Sequence, residues 1–305
     1  MLTIKTADDE IRDTMVGEIA ALSTALCWAV ASRMFQLLGR HFTPLALNFW
    51  KGVAAALVLF VVTQVFYPDF TISAEQMFWL LLSGAVGIGL GDTFFFQALN
   101  KIGDSQAILI AETLAPIVTA LFAMAWIAEW LTWQQWIGIA VVIISVDMII
   151  KLKKRQTVIA FDPNGYFYAA GAALCQAFGA VISRDILTSS DIDPANASAY
   201  RLIGGMAIVV VLMLWRKDRW LPVTENKKQT WILFAWAATI GTFAALFLQM
   251  LAFTHTKAAI VQTLFATSVV LSLLVAKLMG ESIGKRMTLW SLVALAGTAF
   301  LVAVE

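Results

Sequence analysis

"GDTFFFQALNKIGDSQAILIAETLAPIVTALFAMAWIAE" runs from Gly91 to Glu129. Its second part, Ser105–Ile127, is an apolar run long enough to cross a bilayer, which takes about 20 residues. Glu112 nevertheless sits there among Ile108, Leu109, Ile110, Leu114 and Ile117, with Pro116 four residues on. Proline has no backbone N–H, so the carbonyl of Glu112 loses its usual helical donor. The carboxylate and the freed carbonyl belong to one residue. Together they form a patch of acceptors that suits an amine, a proton or a basic side chain.

The rest of the chain is of the same kind. Of its 305 residues, 60% are hydrophobic and 13% charged, against roughly 45–50% apolar residues in a soluble domain even with glycine counted. Mean hydropathy is +0.81. Hydrocarbon, rather than water, is the environment that this excess fits. Ten spans are expected: Val16–Leu38, Pro44–Phe66, Met77–Leu99, Ser105–Ile127, Trp133–Lys151, Asn164–Leu187, Pro194–Trp215, Trp231–Phe253, Ala258–Gly280 and Met287–Val304. Residues 1–15 are charged and lack the basic head and cleavage site of a signal peptide, so an exposed tail is expected there. The longest loop, Arg216–Thr230, is too short to fold alone.

The halves repeat. "GEIAALSTALC" at Gly17 parallels "GYFYAAGAALC" at Gly165, and "TPLALNFWKG" at Thr43 parallels "DPANASAYRL" at Asp193. Trp50-Lys51 then falls on Tyr200-Arg201, Ala98-Leu99 on Ala252-Phe253, and Glu129 on Glu281. The unit holds five helices, and an odd number inserts the second copy upside down, an arrangement that recurs in transporters. The fold expected is an all-α membrane protein of ten transmembrane helices, built as two inverted five-helix repeats around a central cavity. Residues 16–152 form the first repeat, 153–163 a basic linker and 164–305 the second repeat.

Side A denotes the side of the N-terminus and side B the other. Side A holds Lys5, Arg12, Arg184, Arg201 and Lys257; the other sixteen of the 21 basic residues fall to side B. The positive-inside rule makes side B cytoplasmic, with both termini outside. Clustered tryptophans (Trp130, Trp133 and Trp136; Trp215, Trp220 and Trp231) fit membrane interfaces.

Depth along a helix, at about 1.5 Å per residue, puts four ionisable residues on one level. Lys51, Asp92 and Glu112 lie roughly 10 Å from side B and Arg33 about 8 Å. Facing lipid, each costs at least roughly 2.5–3.5 kcal/mol, so they are expected to face inward and toward one another. Gly84, Gly87 and Gly91 form a stripe of small residues that lets the helix of Asp92 approach a neighbour. Two readings follow. In one, Arg33 and Lys51 pair permanently with Glu112 and Asp92 and hold four helices in register. In the other, Glu112, with or without Asp92, binds a cationic group or titrates during transport. The long stem of Lys51 also reaches toward side B. The second repeat does not copy this layer: Ala266, Val270 and Leu246 stand for Glu112, Pro116 and Asp92, and Arg201 alone echoes Lys51. Trp28, Gln97, Tyr200 and Gln249 are candidate cavity wall. Glu129 and Glu281, beside short turns, are expected to cap or pair locally.

No catalytic constellation emerges. His41 and His255 fall on opposite sides, and Cys27 and Cys175 lie inside apolar runs, so neither a nucleophilic dyad nor a zinc site is expected. "GESIGKR" at Gly280–Arg286 lacks the spacing of a phosphate loop. Neither an enzyme nor a cofactor is expected, and any transport is driven by gradients or exchange.

These features resemble the drug/metabolite transporter superfamily, in its EamA-type ten-helix branch. The resemblance rests on the duplicated unit, Lys51 and Arg201 early in helices two and seven, "LAPIVTALFA" in helix four, and Glu129 and Glu281 before helices five and ten. It implies a basket of helices around a cavity, with helices five and ten peripheral. It further implies a multi-pass protein of the cell (inner) membrane that exports amino acids, drugs or similar metabolites. The partners implied are a small-molecule substrate, the bilayer and protons or a counter-substrate, with no nucleic acid. Relatives that exchange nucleotide sugars or sugar phosphates provide one alternative, and a non-transporting structural or assembly protein is another. The chain departs from the branch in carrying lysine at position 51 and in lacking the second-half proline; its charge count also opposes the branch's habit of cytoplasmic termini.

Overall fold

The computed structural model describes residues 7–66, 72–154, 163–278 and 283–304. Ten helices in it are long and apolar enough to span a membrane. They are α1 (Met15–Phe35), α2 (Pro44–Phe66), α3 (Ala74–Leu99), α4 (Gln106–Trp126), α5 (Trp133–Leu152), α6 (Pro163–Ser189), α7 (Pro194–Arg216), α8 (Lys227–His255), α9 (Ala258–Val275) and α10 (Lys285–Ala303). All ten expected spans are present. No strand occurs among the described residues.

Local chemistry starts the two repeats' second helices in the same way. Asp193 accepts hydrogen bonds from the backbone N–H groups of Ala195 and Asn196 (3.0 and 2.9 Å), and Pro194 opens α7. Thr43 does the same for α2 through the N–H of Ala46 (3.2 Å), ahead of Pro44. Both helices are 23 residues long. A capping oxygen followed by proline satisfies an orphan donor and presets the first turn.

The symmetry extends to an irregularity. In α3 the backbone widens into a π-helix over Ala85–Gly91, and in α8 over Thr239–Ala244. The two segments begin 154 residues apart, the same offset that relates Ala98 to Ala252. Glycines mark them: Gly87, Gly89 and Gly91 in one and Gly241 in the other. The wider turn leaves backbone groups to be satisfied by neighbours. Asn48 of α2 donates to the carbonyl of Ile88 (3.1 Å) in the first segment, and Thr24 of α1 to that of Ala245 (3.5 Å) just past the second.

One helical stretch, Asp92–Trp126, carries the end of α3 and all of α4. The chain reverses between them, so that Trp79 near the start of α3 meets Trp126 at the end of α4 edge to face (5.5 Å between centroids). Pro116 lies inside α4. The matching helix α9 breaks one residue past the position equivalent to Glu112, at Thr267, although no proline is present. Thr267 Oγ1 donates to the carbonyl of Leu264 there (2.6 Å).

Small residues set the helix crossings. The expected stripe on α3 is packed as anticipated: Gly84 abuts the backbone of Arg201, Gly87 faces Gly179, and Gly91 faces Cys175. It brings α3 against both α6 and α7. Helices α5 and α10 pack on each other through Gly138 against Leu301 and Gly297 against Val141. Large apolar side chains point outward along the spans, among them Phe60, Val61, Val65, Leu214 and Phe300. In a bilayer they face acyl chains.

Candidate functional site

The charged layer expected from depth forms only in part. Lys51 of α2 is 3% exposed, and its Nζ donates to Asp92 Oδ2 of α3 at 2.5 Å. Lys51 does not snorkel to side B. Its ammonium also lies 5.4 Å from the centre of the Phe96 ring, one turn along from Asp92. Asp92 follows directly on the π segment, so the widened turn and the acid that meets Lys51 are adjacent on one helix.

Glu112 is partly buried on α4 and makes no hydrogen bond or ion pair with any described residue. The neighbouring hydroxyl of Thr113 is buried and likewise unpartnered. Arg33 shares the level but is exposed, so the expected Arg33–Glu112 pair does not form. Residue depth sets a level and says nothing of the direction around the helix axis, and Arg33 is exposed where Glu112 is partly buried.

Arg201, the repeat counterpart of Lys51, is 2% exposed. It has no carboxylate within ion-pair distance among the described residues, although Asp92 is near enough to act on it electrostatically. Its guanidinium lies beside Gly87 and Gly179, donates to Met250 Sδ at 3.3 Å, and leaves Nε without a partner. Asp92 thus pairs with one of the two buried bases and leaves the other without an ion pair among the described residues.

The candidate wall residues are all partly buried. Trp28 of α1 meets Phe265 of α9 edge to face at 5.9 Å. Tyr200 packs against the large central apolar cluster. Gln97 lies near the end of α3 and Gln249 in the last third of α8, two residues out of the repeat register, and Pro116 is buried.

Sequence reasoning misplaced Glu129. It does not act locally: Oε1 accepts from Arg184 Nε of α6 (3.0 Å) and Oε2 from the backbone N–H of Ala258, at the start of α9 (2.8 Å). Arg184 Nη1 also donates to the carbonyl of Phe253 (2.6 Å), and Lys257 Nζ to the carbonyl of Trp130 (2.9 Å). A carboxylate of the first repeat thereby ties two helices of the second together at side A. Such partners are 55 and 129 residues away, beyond any local pattern. Glu281 and the linker residues 155–162 lie outside the described residues. Asp147 pairs with Lys151 (2.6 Å) as their spacing suggests. No cluster of three metal-ligating side chains occurs among the described residues.

The sequence profile of the EamA-like transporter family matches residues 15–151 and 163–303, once for each half. The chain is 25% identical over 123 residues to "Uncharacterized transporter YoaV" of Bacillus subtilis (strain 168). That stretch is 40% of this chain and 42% of the relative, so less than half of the relative is matched. A solved structure described only as "Crystal structure of protein" superimposes with a TM-score of 0.77 at 15% identity. It covers 94% of this chain and 96% of its own, and at that identity the likeness is one of fold.

Proposed function

The chain belongs to the EamA-like transporter family, and from that premise we propose that it is a secondary transporter exporting small polar or amphipathic metabolites by alternating access. The amino acids, drugs and similar compounds expected from the sequence are the substrate class. The observation that carries the reading is the division of labour in the charged layer. Lys51 and Asp92 satisfy each other, whereas Glu112 keeps an unpaired carboxylate beside the carbonyl that Pro116 frees. An unpaired acid within a span is a functional group by default, because fold maintenance alone would select its loss. The Lys51–Asp92 pair takes the structural role, and Glu112 receives the substrate amine or the coupling proton.

The twin π segments support the motion. In inverted repeats access alternates as one repeat moves against the other, and π segments occur frequently at functional sites. Each lies in the third helix of its repeat.

Counterflow in proteoliposomes across a broad metabolite panel is the test. Flux of at least one amine-bearing substrate is expected. The Glu112→Gln variant should lose about ten- to hundredfold in rate, the equivalent of one charge-assisted hydrogen bond of about 1.5–3 kcal/mol. Unchanged rate and unchanged pH dependence in that variant exclude Glu112, and an absence of flux throughout the panel favours a structural membrane protein.

Side B, with sixteen of the 21 basic residues, is the cytoplasmic side in this reading and the membrane is the inner one. A reporter fused after Glu305 should then be accessible from outside intact cells. Access from the cytoplasm alone reverses the orientation and puts the basic loops outside.

A further inference from the structure

An apolar crevice of about 280 Å³ runs between α2 and α8, beginning one turn beyond Lys51 on α2. Ala54, Ala55 and Val58 form one wall, and Trp231, Ala238 and Phe243 are prominent in the other. Its floor is closed, since Ala55 and Ala238 are each 1% exposed. Its rim is open: Val58, Ala235 and Thr239 are exposed on the outer surface of the bundle. Twelve residues separate Trp231 from Phe243, about 18 Å along a helix. One leaflet of a hydrocarbon core of about 30 Å is only slightly shallower. The crevice is therefore a one-leaflet groove that opens to lipid from side B.

Its outer end is aromatic and braced. Trp231 meets Trp50 and Phe42 edge to face (5.4 and 5.6 Å), and Trp50 Nε1 donates to the carbonyl of Trp220 (2.6 Å). Interfacial tryptophans mark the level of the headgroups. One turn further out, Lys227 and Lys228 precede Trp231 by four and three residues, so they share its face of the helix. Both are exposed. The loop that leads to them adds Arg216, Lys217 and Arg219.

We propose that this groove is a binding site for an anionic phospholipid of the side-B leaflet, with its phosphate on Lys227 and Lys228 and one acyl chain laid between α2 and α8. Three features choose this occupant. The lining is almost wholly apolar, and a groove at this depth meets acyl chains rather than water. Its length matches one leaflet. Two cations stand at headgroup level on the same helical face as its entrance, and juxtamembrane lysines attract anionic lipid. The inference does not rest on the transport reading, and it concerns residues that take no part in the charged layer.

Native mass spectrometry of the detergent-solubilised full chain tests it, with dioleoyl phosphatidylglycerol and dioleoyl phosphatidylcholine as probes. Phosphatidylglycerol should be retained in preference. The Lys227→Gln/Lys228→Gln variant should weaken its retention about 30-fold, the combined attraction of two juxtamembrane lysines. Filling the groove by Ala235→Phe should weaken retention of both lipids. Lys285→Gln/Arg286→Gln, which removes two exposed cations from the same side at the start of α10, should change neither. Equal retention of the two lipids by the unaltered protein overturns the proposal, as does an equal loss in the α10 control, which indicates a general surface charge effect. A shift of Ala235→Phe from dimer to monomer with lipid retention unchanged gives the groove to a second copy, and also overturns it. The lysine variants lie at an exposed helix start, so their result decides even if the groove-filling variant does not fold.

Discussion

Alanine in place of Asp92 should cost the solubilised protein about 3–5 kcal/mol, the range found when one partner of a buried ion pair is removed. Lys51 is almost wholly enclosed, and its ammonium has Asp92 as its only carboxylate partner among the described residues. Once the acid is gone the charge remains, because the side chain reaches neither water nor a second acid. The Phe96 ring at 5.4 Å offsets only part of the loss, at about 0.5–2 kcal/mol for a cation over an aromatic face. The buried Arg201 makes no ion pair with Asp92, so the loss falls on Lys51. The reciprocal change, Lys51→Ala, leaves Asp92 with Arg201 still nearby and should cost measurably less. The double variant Lys51→Ala/Asp92→Ala should be more stable than Asp92→Ala alone, since it leaves no enclosed ammonium without its carboxylate. Equilibrium unfolding of the three variants in mixed micelles gives the coupling directly. A cost below about 1 kcal/mol for Asp92→Ala, or simple additivity, would show the pair to be solvated.

The asymmetry between Lys51 and Arg201 shows how far a sequence can be read here. Ten runs of about 20 apolar residues are each specified locally, because the bilayer demands length and hydropathy and little else. The repeat follows from pairs such as Thr43-Pro44 and Asp193-Pro194, which open equivalent helices by the same capping chemistry. Depth is legible for the same reason: rise per residue is constant, so Lys51 and Asp92 belong on one level before any contact is known. Azimuth is not. Arg33 has the right depth yet is exposed and does not meet Glu112, since a rotation of one residue turns a side chain by about 100°. The π segments shift that rotation part-way along α3 and α8, and the glycines that accompany them mark close approach without stating register. Glu129 shows the other limit. Its partners Arg184 and Ala258 belong to the opposite repeat, and their meeting is decided by how the halves dock.

The docking itself sets up the second large effect. Gly84 on α3 and Gly204 on α7 are mutually enclosed: a Cβ on Gly84 would run into the backbone of Arg201, and one on Gly204 into the backbone of Leu81. Neither obstacle is the tip of a flexible side chain, so the helices must separate. Two effects of opposite sign then compete in Gly84→Ala. Alanine favours a helix interior over glycine by about 0.8–1 kcal/mol. Overpacking costs typically 1–3 kcal/mol and more where backbone must move, and here Arg201 must also leave its slot beside Gly87 and Gly179. The clash wins. The expected result is a net loss of at least about 2 kcal/mol, seen as a fall in the yield of monodisperse protein and in its unfolding midpoint. Gly284→Ala is the control, because nothing lies within 4 Å of a Cβ placed there. It should stay within about 1 kcal/mol of the parent, the scale of a helix-start preference. If Gly84→Ala behaves like Gly284→Ala, the α3–α7 crossing yields easily. The enclosure of Arg201 would then rest on its contacts with Gly87 and Gly179 rather than on this crossing.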